Sequence, residues 1–215
     1  MQYRGVKVLT KKDVRRGAYY LISADFNASE RVDEFKSDLS TVERGGGIGI
    51  VLAHKGRFGG GGNKSLKLEA KKVGAKYFPE SFGLKAREFV ESLKAGESVV
   101  LENVRNNSGE EKGDKKLAEK YFSLVKGKEC YFVSADFGKA HRKNSSNYGL
   151  IAFFPKAKRF ISEGHVEEMK KLDKFGKNDT AVKKNSVVAI GGLKKEKISE
   201  GLLKFVEIYD YIIPG

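Results

Sequence analysis

The chain has 215 residues, of which 40% are hydrophobic, so it can form one large domain or one domain and part of a second, which excludes a short peptide or a disulfide-stapled miniprotein. Its 42 Lys and Arg residues outnumber 28 Asp and Glu residues, and the formal net charge of +14 indicates an anionic partner such as a phosphorylated metabolite, a nucleotide, nucleic acid or acidic lipid. The sequence shows no apolar signal core and no run long enough to span a bilayer, so we expect a cytoplasmic protein without a membrane partner.

Short apolar runs alternate with Lys/Glu-rich segments along the chain. The runs predict strands at 19–24, 48–53, 99–102, 130–135, 187–192 and 211–215. The segments between them predict helices at 29–43 with Ser29 as N-cap, 64–73, 81–94, 114–126, 163–174 and 195–206. Near-continuous apolar runs separated by helices are typical of parallel strands covered on both faces. The sequence therefore predicts an α/β fold, a doubly wound, Rossmann-like parallel sheet with helices on both faces.

A polar tract at residues 174–185 follows a predicted helix and lacks long periodicity, which indicates a boundary. The residues after it form at most one strand–helix–strand unit, which cannot bury its own faces. We therefore predict an N-terminal domain at 1–158, an interdomain helix and linker at 159–182, and the incomplete start of a second domain at 183–215.

Polar and basic side chains follow four of the predicted strands. They are Asp25 and Asn27 after the first, His54 and Arg57 after the second, Arg105 after the third, and Arg142 after the fourth, while Arg31 lies in the first helix. Ligands of open parallel sheets bind beyond the carboxyl ends of the strands, and a guanidinium group grips phosphate or carboxylate with two hydrogen bonds. Only ten of the 42 basic residues are arginines, so their placement predicts a convergent anion site.

Other site types find less support in the sequence. Asp25 and Asp136 could form an acid/base pair, although nothing in the sequence places them together. The three histidines lack metal-ligand spacing, and a single cysteine, Cys130, excludes a Cys-rich zinc site, so we expect no metal site.

The stretch HKGRFGGGGNKS, residues 54–65, is similar to a P-loop but has Asn63 where that loop requires glycine. Residues 54–57 also separate the glycines from the preceding strand, whereas a P-loop joins its strand and helix directly. We predict that the His54 and Arg57 side chains bind the anion, and that the four glycines form a connector to a helix capped near Asn63.

Five collinear motifs resemble those of phosphoglycerate kinases. SADFN is similar to R-V-D-F-N, LAHKGR to S-H-x-G-R-P, and LENVRNNSGEE to L-E-N-x-R-F followed by G-E-E. SADFGKAHRKNSS resembles D-A-F-G-x-x-H-R-x-x-x-S, and AIGGLKKEKI resembles L-G-G-A-K-V-x-D-K-I. Each motif alone is weak, but together and in order they identify the chain as similar to this family.

The resemblance implies a kinase of glycolysis that transfers a phosphoryl group between 1,3-bisphosphoglycerate and ADP, giving 3-phosphoglycerate and ATP. The first predicted domain would hold the phosphoglycerate on a basic patch. Mg-ATP or Mg-ADP would bind the second domain, of which most would be missing, so we expect the isolated chain to be inactive, as a truncated form or as one half of a split enzyme. A separate chain carrying the nucleotide domain is then an expected partner.

The resemblance also implies roles for single residues. Asp25 and Asn27 would bind the glycerate end of the substrate, and His54, Arg57, Arg105 and Arg142 would surround its phosphate. Arg31 would bind substrate and act with Lys194 as a catalytic group at the transferring phosphoryl, while Gly192, Lys194 and Lys197 would bind the nucleotide.

The chain departs from the family motifs at several positions. Ser23 stands where the family has arginine, Phe58 replaces a proline, Asn106 replaces an aromatic residue, the acid Asp136 is shifted by one position, and Lys197 lies in a motif that is one residue tighter.

These departures and the +14 charge keep an alternative open: a noncatalytic descendant of the fold that binds nucleic acid or another polyanion. Against it, the sequence has no nucleic-acid module and no row of aromatics suited to base stacking. Lysine enrichment typical of a hot environment would explain the charge but not the placement of the arginines.

Overall fold

The computed structural model describes residues 1–58, 64–176, 187–190 and 209–214. The strands are β1 (Gln2–Tyr3), β2 (Val6–Val8), β3 (Tyr19–Asp25), β4 (Ile48–His54), β5 (Lys76–Phe78), β6 (Ser98–Leu101), β7 (Cys130–Ala135), β8 (Arg159–Ile161), β9 (Val187–Ile190) and β10 (Tyr211–Pro214). The α-helices are α1 (Ser29–Arg44), α2 (Lys67–Val73), α3 (Leu84–Glu91), α4 (Lys115–Ser123) and α5 (Glu163–Gly176).

Eight strands form one sheet in the order β1-β2-β8-β7-β3-β4-β6-β5, and β9 pairs with β10 in a separate parallel pair. Only the β1–β2 pair of the large sheet is antiparallel. From β3 the chain first adds strands on one side, through β4, and then crosses to the other side with β7. Such a reversal opens a crevice at the carboxyl ends of the central strands, where ligands bind in doubly wound folds. The predicted fold class is therefore confirmed.

The central strands carry continuous apolar runs because both of their faces are covered. Alternate residues of β3 contribute to different clusters: Tyr20 and Ile22 pack with the buried side of α1, whereas Leu21 packs with residues of α3 and α4. Cys130 is buried in the second cluster, as its apolar neighbours predict. Helices on both faces thus fix the sheet, and with it the positions of the strand ends.

The short strands β1, β2, β5 and β8 have too few residues to show periodicity, and the sequence analysis missed them. Ser29 is not the N-cap of α1: Ala28 holds that position in extended backbone, and Ser29 is the first helical residue. α2 begins at Lys67, later than predicted, and the predicted cap near Asn63 lies outside the described residues. The predicted helix at 195–206 also lies outside them.

The chain divides into two compact units, Met1–Met169 and Lys170–Gly215, and the limit between them falls inside α5. The domain limits proposed from the sequence stay a prediction. None of the described helices combines the length and the apolar character that crossing a bilayer requires.

Candidate functional site

Asp25 and His54 are the last residues of β3 and β4 and lie opposite each other in the strand register. His54 Nε2 is 3.3 Å from Asp25 Oδ1, and Arg31 Nη1 forms an ion pair with Asp25 Oδ2. Asp25 is 7% exposed and His54 is 1% exposed, so both lie beneath the protein surface. The Asp25 carboxylate therefore holds an imidazole and a guanidinium in fixed positions.

Asn27 links the segments that follow β3 and β4. Its backbone N–H and its Nδ2 donate to Asp25 Oδ1 over 2.9 and 2.7 Å, while its Oδ1 accepts from the Gly56 N–H over 2.8 Å. Gly56 has φ +76°, a conformation that glycine adopts without the strain of a side chain. The turn that carries Arg57 is thus tied to the turn that carries Asn27.

Asn103 fixes the far end of the same loop. Its Nδ2 donates to the carbonyl groups of Lys55 and Lys64 over 2.8 and 2.9 Å, and its Oδ1 accepts from the backbone N–H groups of Lys55 and Arg105, both over 3.1 Å. Asn103 is 1% exposed, so these bonds are shielded from water. One side chain therefore holds both ends of the loop after β4 and the turn after β6.

Arg105 is only 4% exposed and forms an ion pair with Glu111, whose Oε2 also accepts from the Phe58 N–H over 3.4 Å. The Nε of Arg105 has no hydrogen-bond partner among the described residues. Burial lowers the pKa of the Arg105 guanidinium, Glu110 offsets part of this change, and the charges of Arg142 and Arg57 lower that pKa further. Arg105 therefore lies in the electrostatic field of both Arg57 and Arg142. We call Arg57 and Arg142, both exposed, the exposed arginine pair.

A second layer of charges lies after β7. Lys139 Nζ is 3.1 Å from Asp136 Oδ2, and the Lys139 backbone N–H donates to Asp136 Oδ1 over 3.0 Å. Glu110 is fully buried, and its two carboxylate oxygens accept from the hydroxyl and the N–H of Ser146 over 2.5 and 3.1 Å. Burial raises the pKa of Glu110, whereas Lys139 and the bonds from Ser146 oppose that change.

We call one group of residues the buried charged cluster: Asp25, His54, Arg105, Glu110, Asp136 and Lys139. His54 Nδ1 lies 3.0 Å from the Ala24 carbonyl, which can only accept, so the neutral imidazole carries its proton on Nδ1. Burial lowers the pKa of His54 to about 2, with further lowering by Lys139 and Arg105. Burial therefore favours the uncharged form of the imidazole.

A cavity of about 330 Å³ opens beside the cluster, between α1, the turn after β7 and the start of α5. Its lining includes Asp25, Arg31, Asp38, Gly138 and His165. Gly138 approaches the ion pair closely, because a Cβ there would lie 2.9 Å from Arg31 Nη1 and 3.0 Å from Asp25 Oδ2. The residues after β7 thus pack directly onto the ion pair between Arg31 and Asp25.

The structure brings most of the predicted substrate residues to one edge of the sheet. Asp25, Asn27, Arg31 and His54 contact one another directly or through Asp25, whereas Arg105 is buried and the exposed arginine pair faces solvent. The acids that the sequence could not place together, Asp25 and Asp136, meet on opposite nitrogens of His54, at 3.3 and 3.6 Å.

The predicted nucleotide residues Gly192, Lys194 and Lys197 lie outside the described residues. In the described ranges no group of three or more His, Cys, Asp or Glu side chains could hold a metal ion. The cavity beside Arg31 is lined by several carboxylates, which would repel nucleotide phosphates. The residues that the structure describes therefore do not form a site for a magnesium nucleotide.

Sequence reasoning missed three residues that organise the site. Asn103 and Glu111 stand in the motif LENVRNNSGEE, but the sequence does not show that they bond to Lys55 and Phe58, which are distant along the chain. Lys139 carried no signal at all in a chain so rich in lysine. Only tertiary contacts distinguish it from the solvated lysines.

Comparisons with known proteins identify the family of the chain. The family model of phosphoglycerate kinase matches residues 2–215. The chain belongs to the phosphoglycerate kinase family. It is 33% identical to the phosphoglycerate kinase of Fervidobacterium nodosum and 31% identical to that of Thermosipho africanus, in each case over 86% of this chain and 48% of the relative. The chain therefore spans about half the length of these phosphoglycerate kinases.

Solved structures of the family share the fold. The phosphoglycerate kinase of Pyrococcus horikoshii superposes with a TM-score of 0.80 at 21% identity, covering 97% of this chain and 55% of that one. The phosphoglycerate kinase of Coxiella burnetii gives a TM-score of 0.67 at 20% identity, covering 97% of this chain and 54% of that one.

Ser23 stands where phosphoglycerate kinase motifs have arginine. It is fully buried here, and its hydroxyl has no hydrogen-bond partner among the described residues.

Proposed function

We propose that this chain provides the 3-phosphoglycerate site of a phosphoglycerate kinase-like enzyme, at the carboxyl edge of β3, β4, β6 and β7. One observation carries the proposal: the buried Arg105 has an Nε without a hydrogen-bond partner among the described residues, and the charges of Arg57 and Arg142 act on its guanidinium at this edge. Holding like charges together costs free energy, and an anion that binds them recovers it. The Nε of the buried Arg105 is an unpaired donor, and a phosphate oxygen of the ligand would accept its hydrogen bond.

The proposed roles follow from exposure. The exposed arginine pair grips the phosphate, and Arg105 behind it supports the same charge. Arg31, whose side chain is 49% exposed, lies next to Asn27 and reaches the other end of the substrate. Asp25 and His54 are too buried to surround a ligand, so they act on it by orienting Asn27 and Arg31.

Such a site suits phosphoryl transfer between 1,3-bisphosphoglycerate and a nucleoside diphosphate. That reaction requires in-line positioning and neutralisation of the charge on the moving group, with no protein nucleophile. Arg31 is the described residue that would stabilise the transferring group. The roles of Lys194 in transfer, and of Gly192 and Lys197 in binding Mg-ATP or Mg-ADP, stay predictions.

Calorimetry with 3-phosphoglycerate tests the proposal. The chain should bind it, R57A should lower the affinity by roughly tenfold or more, and K64A, at the far end of the loop, should change it little, because a bidentate phosphate contact is lost only in the first variant. A larger loss in K64A than in R57A would reopen the P-loop interpretation.

A salt titration separates this function from polyanion binding. A polyanion-binding protein loses affinity for an oligonucleotide steeply as salt rises and does not discriminate among small anions, whereas a specific site prefers 3-phosphoglycerate over inorganic phosphate at fixed ionic strength. We further expect kinase turnover only when a chain carrying a nucleotide domain is supplied. Turnover by the 215 residues alone would contradict that expectation.

A further inference from the structure

Lys139 is anomalous because it is 2% exposed, whereas the other lysines whose side chains the structure describes are exposed or half-buried. A lysine is almost never fully buried without a partner. Burial lowers the pKa of its ammonium group, and Asp136 and Glu110 oppose that change. Burying a charged group beneath the candidate site costs desolvation free energy, so we expect the contacts of Lys139 to give it a role there.

The contacts of Lys139 lead to the candidate site in two steps. Its Nζ lies 3.1 Å from Asp136 Oδ2, and the same oxygen lies 3.6 Å from His54 Nδ1. On its other side His54 Nε2 lies 3.3 Å from Asp25 Oδ1, and Asp25 is the ion-pair partner of Arg31. Lys139 and Arg31 therefore stand at the two ends of a row of polar groups, each paired with a carboxylate, and His54 lies between the two carboxylates.

His54 has three acceptors around its ring: the Ala24 carbonyl, Asp25 and Asp136. Two carboxylates beside an imidazole normally draw a second proton onto it, because they stabilise the imidazolium. Here each carboxylate already has a cation of its own, Arg31 for Asp25 and Lys139 for Asp136. The proton balance of His54 thus depends on these two ion pairs.

We propose that Lys139 is a positioning residue of the anion site: by pairing with Asp136, it keeps His54 uncharged and its Nδ1 proton directed at the Ala24 carbonyl. The positive charge of the site then resides on the arginines and not on the imidazole. The consequence for 3-phosphoglycerate rests on the proposed function, whereas the state of His54 does not.

Five charged groups face His54, and each comes from an element packed against the end of β4. They are Asp25 at the end of β3, Arg31 in α1, Arg105 after β6, and Asp136 and Lys139 after β7. Three are cations and two are anions, so removing Lys139 leaves two of each sign around a buried imidazole. A proton on His54 would then pair with Asp136.

The histidine resonances of the folded chain report this directly, since the chain has only three histidines and H141Q and H165Q assign the other two. In the wild type the ¹⁵N shifts of His54 should show a neutral ring protonated on Nδ1 throughout pH 5–8, a window of about three units centred on the usual histidine range. In K139M the His54 ring should take up a proton within this window. K36M, which removes an exposed lysine paired with Asp33, is the matched control and should leave His54 neutral.

A double variant keeps the proposal testable where K139M alone does not fold. D136N K139M removes both members of the pair, so no buried charge is left unpaired and His54 should stay neutral as in the wild type. A charged His54 in the wild type, or a neutral one in folded K139M, overturns the proposal. A charged His54 in D136N K139M overturns it as well, because the Asp136 carboxylate would then not be the group that protonates the ring.

Binding gives a second readout that a merely structural role would not move. The ratio of the 3-phosphoglycerate dissociation constants of wild type and K139M cancels the ionisation of the ligand. It should change by about tenfold across the window as His54 becomes charged in the variant. A pH-independent ratio means that Lys139 affects only stability, whereas failure of both proteins to bind rejects the proposed function and leaves the His54 titration as the test of Lys139.

Discussion

The buried charged cluster and the exposed arginine pair lie at the same edge of the sheet but differ in how their charges are compensated. Asp25, Asp136 and Lys139 have partners of opposite sign within the protein. Arg57 and Arg142 are exposed to solvent and lie in the field of a third guanidinium. In the proposed function the first group therefore specifies the geometry of the site, and the second group binds the ligand. Variants in the first should therefore change stability most, and variants in the second should change binding.

Breaking the cluster should produce the largest effect. D136A leaves the Lys139 ammonium buried without its closest partner, which costs about 3–5 kcal/mol of unfolding free energy. Urea denaturation measures the loss. D33A removes an acid from an exposed ion pair and should change stability by less than about 1 kcal/mol. Equal losses in the two variants would show that Asp136 and Lys139 are not an energetic unit.

Asp38 differs from the acids of the cluster because it is half-buried and has no salt bridge among the described residues. Burial raises its pKa from 3.8 to about 6, while bonds from Ser162 and from the Gly164 N–H, 3.2 Å away, oppose the change. The folded state therefore favours the protonated carboxyl. This contribution to stability is complete below pH 3.8 and is lost as pH rises through about 6.

D38N isolates this effect, since the amide does not titrate and its oxygen can still accept from Gly164. The stability of the wild type minus that of D38N should fall by roughly 3 kcal/mol between pH 4 and pH 7, the equivalent of about two pKa units. Urea melts of both proteins across this range measure it. A constant difference would show that Asp38 has an ordinary pKa and that burial without a counter-ion has little cost here.

Asn103 joins the two regions, because it ties the loop of Arg57 to the turn of Arg105. N103A removes a buried side chain that bonds four backbone groups, and should cost about 2 kcal/mol of stability as well as affinity for 3-phosphoglycerate. N106A, three residues further along the chain and half-buried, is the matched control. Normal affinity of N103A for 3-phosphoglycerate would mean that the loop keeps its position without the hydrogen bonds of Asn103.

The exposed arginine pair should show the opposite behaviour with the smallest change in stability. R142A should weaken 3-phosphoglycerate binding by about tenfold, or about 1.4 kcal/mol, and leave the unfolding free energy within about 0.5 kcal/mol. Calorimetry and urea denaturation on the same samples separate the two quantities. K143A tests whether any nearby exposed cation matters, and a loss as large as that of R142A would argue for a diffuse basic surface.

Local pattern predicted the long elements well, because buried parallel strands need continuous apolar runs and surface helices need periodic ones. It failed for β5 and β8, where three residues carry too little signal, and at Ser29, where the chain places Ala28 in the cap position. For the candidate site, the strand-end rule predicted His54, Arg57, Arg105 and Arg142 together but could not tell that His54 and Arg105 are buried.

The order of the strands along the chain, the family motifs and the polar groups at the strand ends can be read from the sequence. Each of these features depends only on residues that are neighbours along the chain. Only the tertiary structure decided which charges have partners. Asp25 meets His54 across the strand register, and Asn103 bridges residues 48 and 39 positions away. Lys139 becomes part of the site through burial and not through its position in a motif. The physical reason is that desolvation and ion pairing depend on distances in space, and these are fixed only when the sheet and its covering helices are packed together.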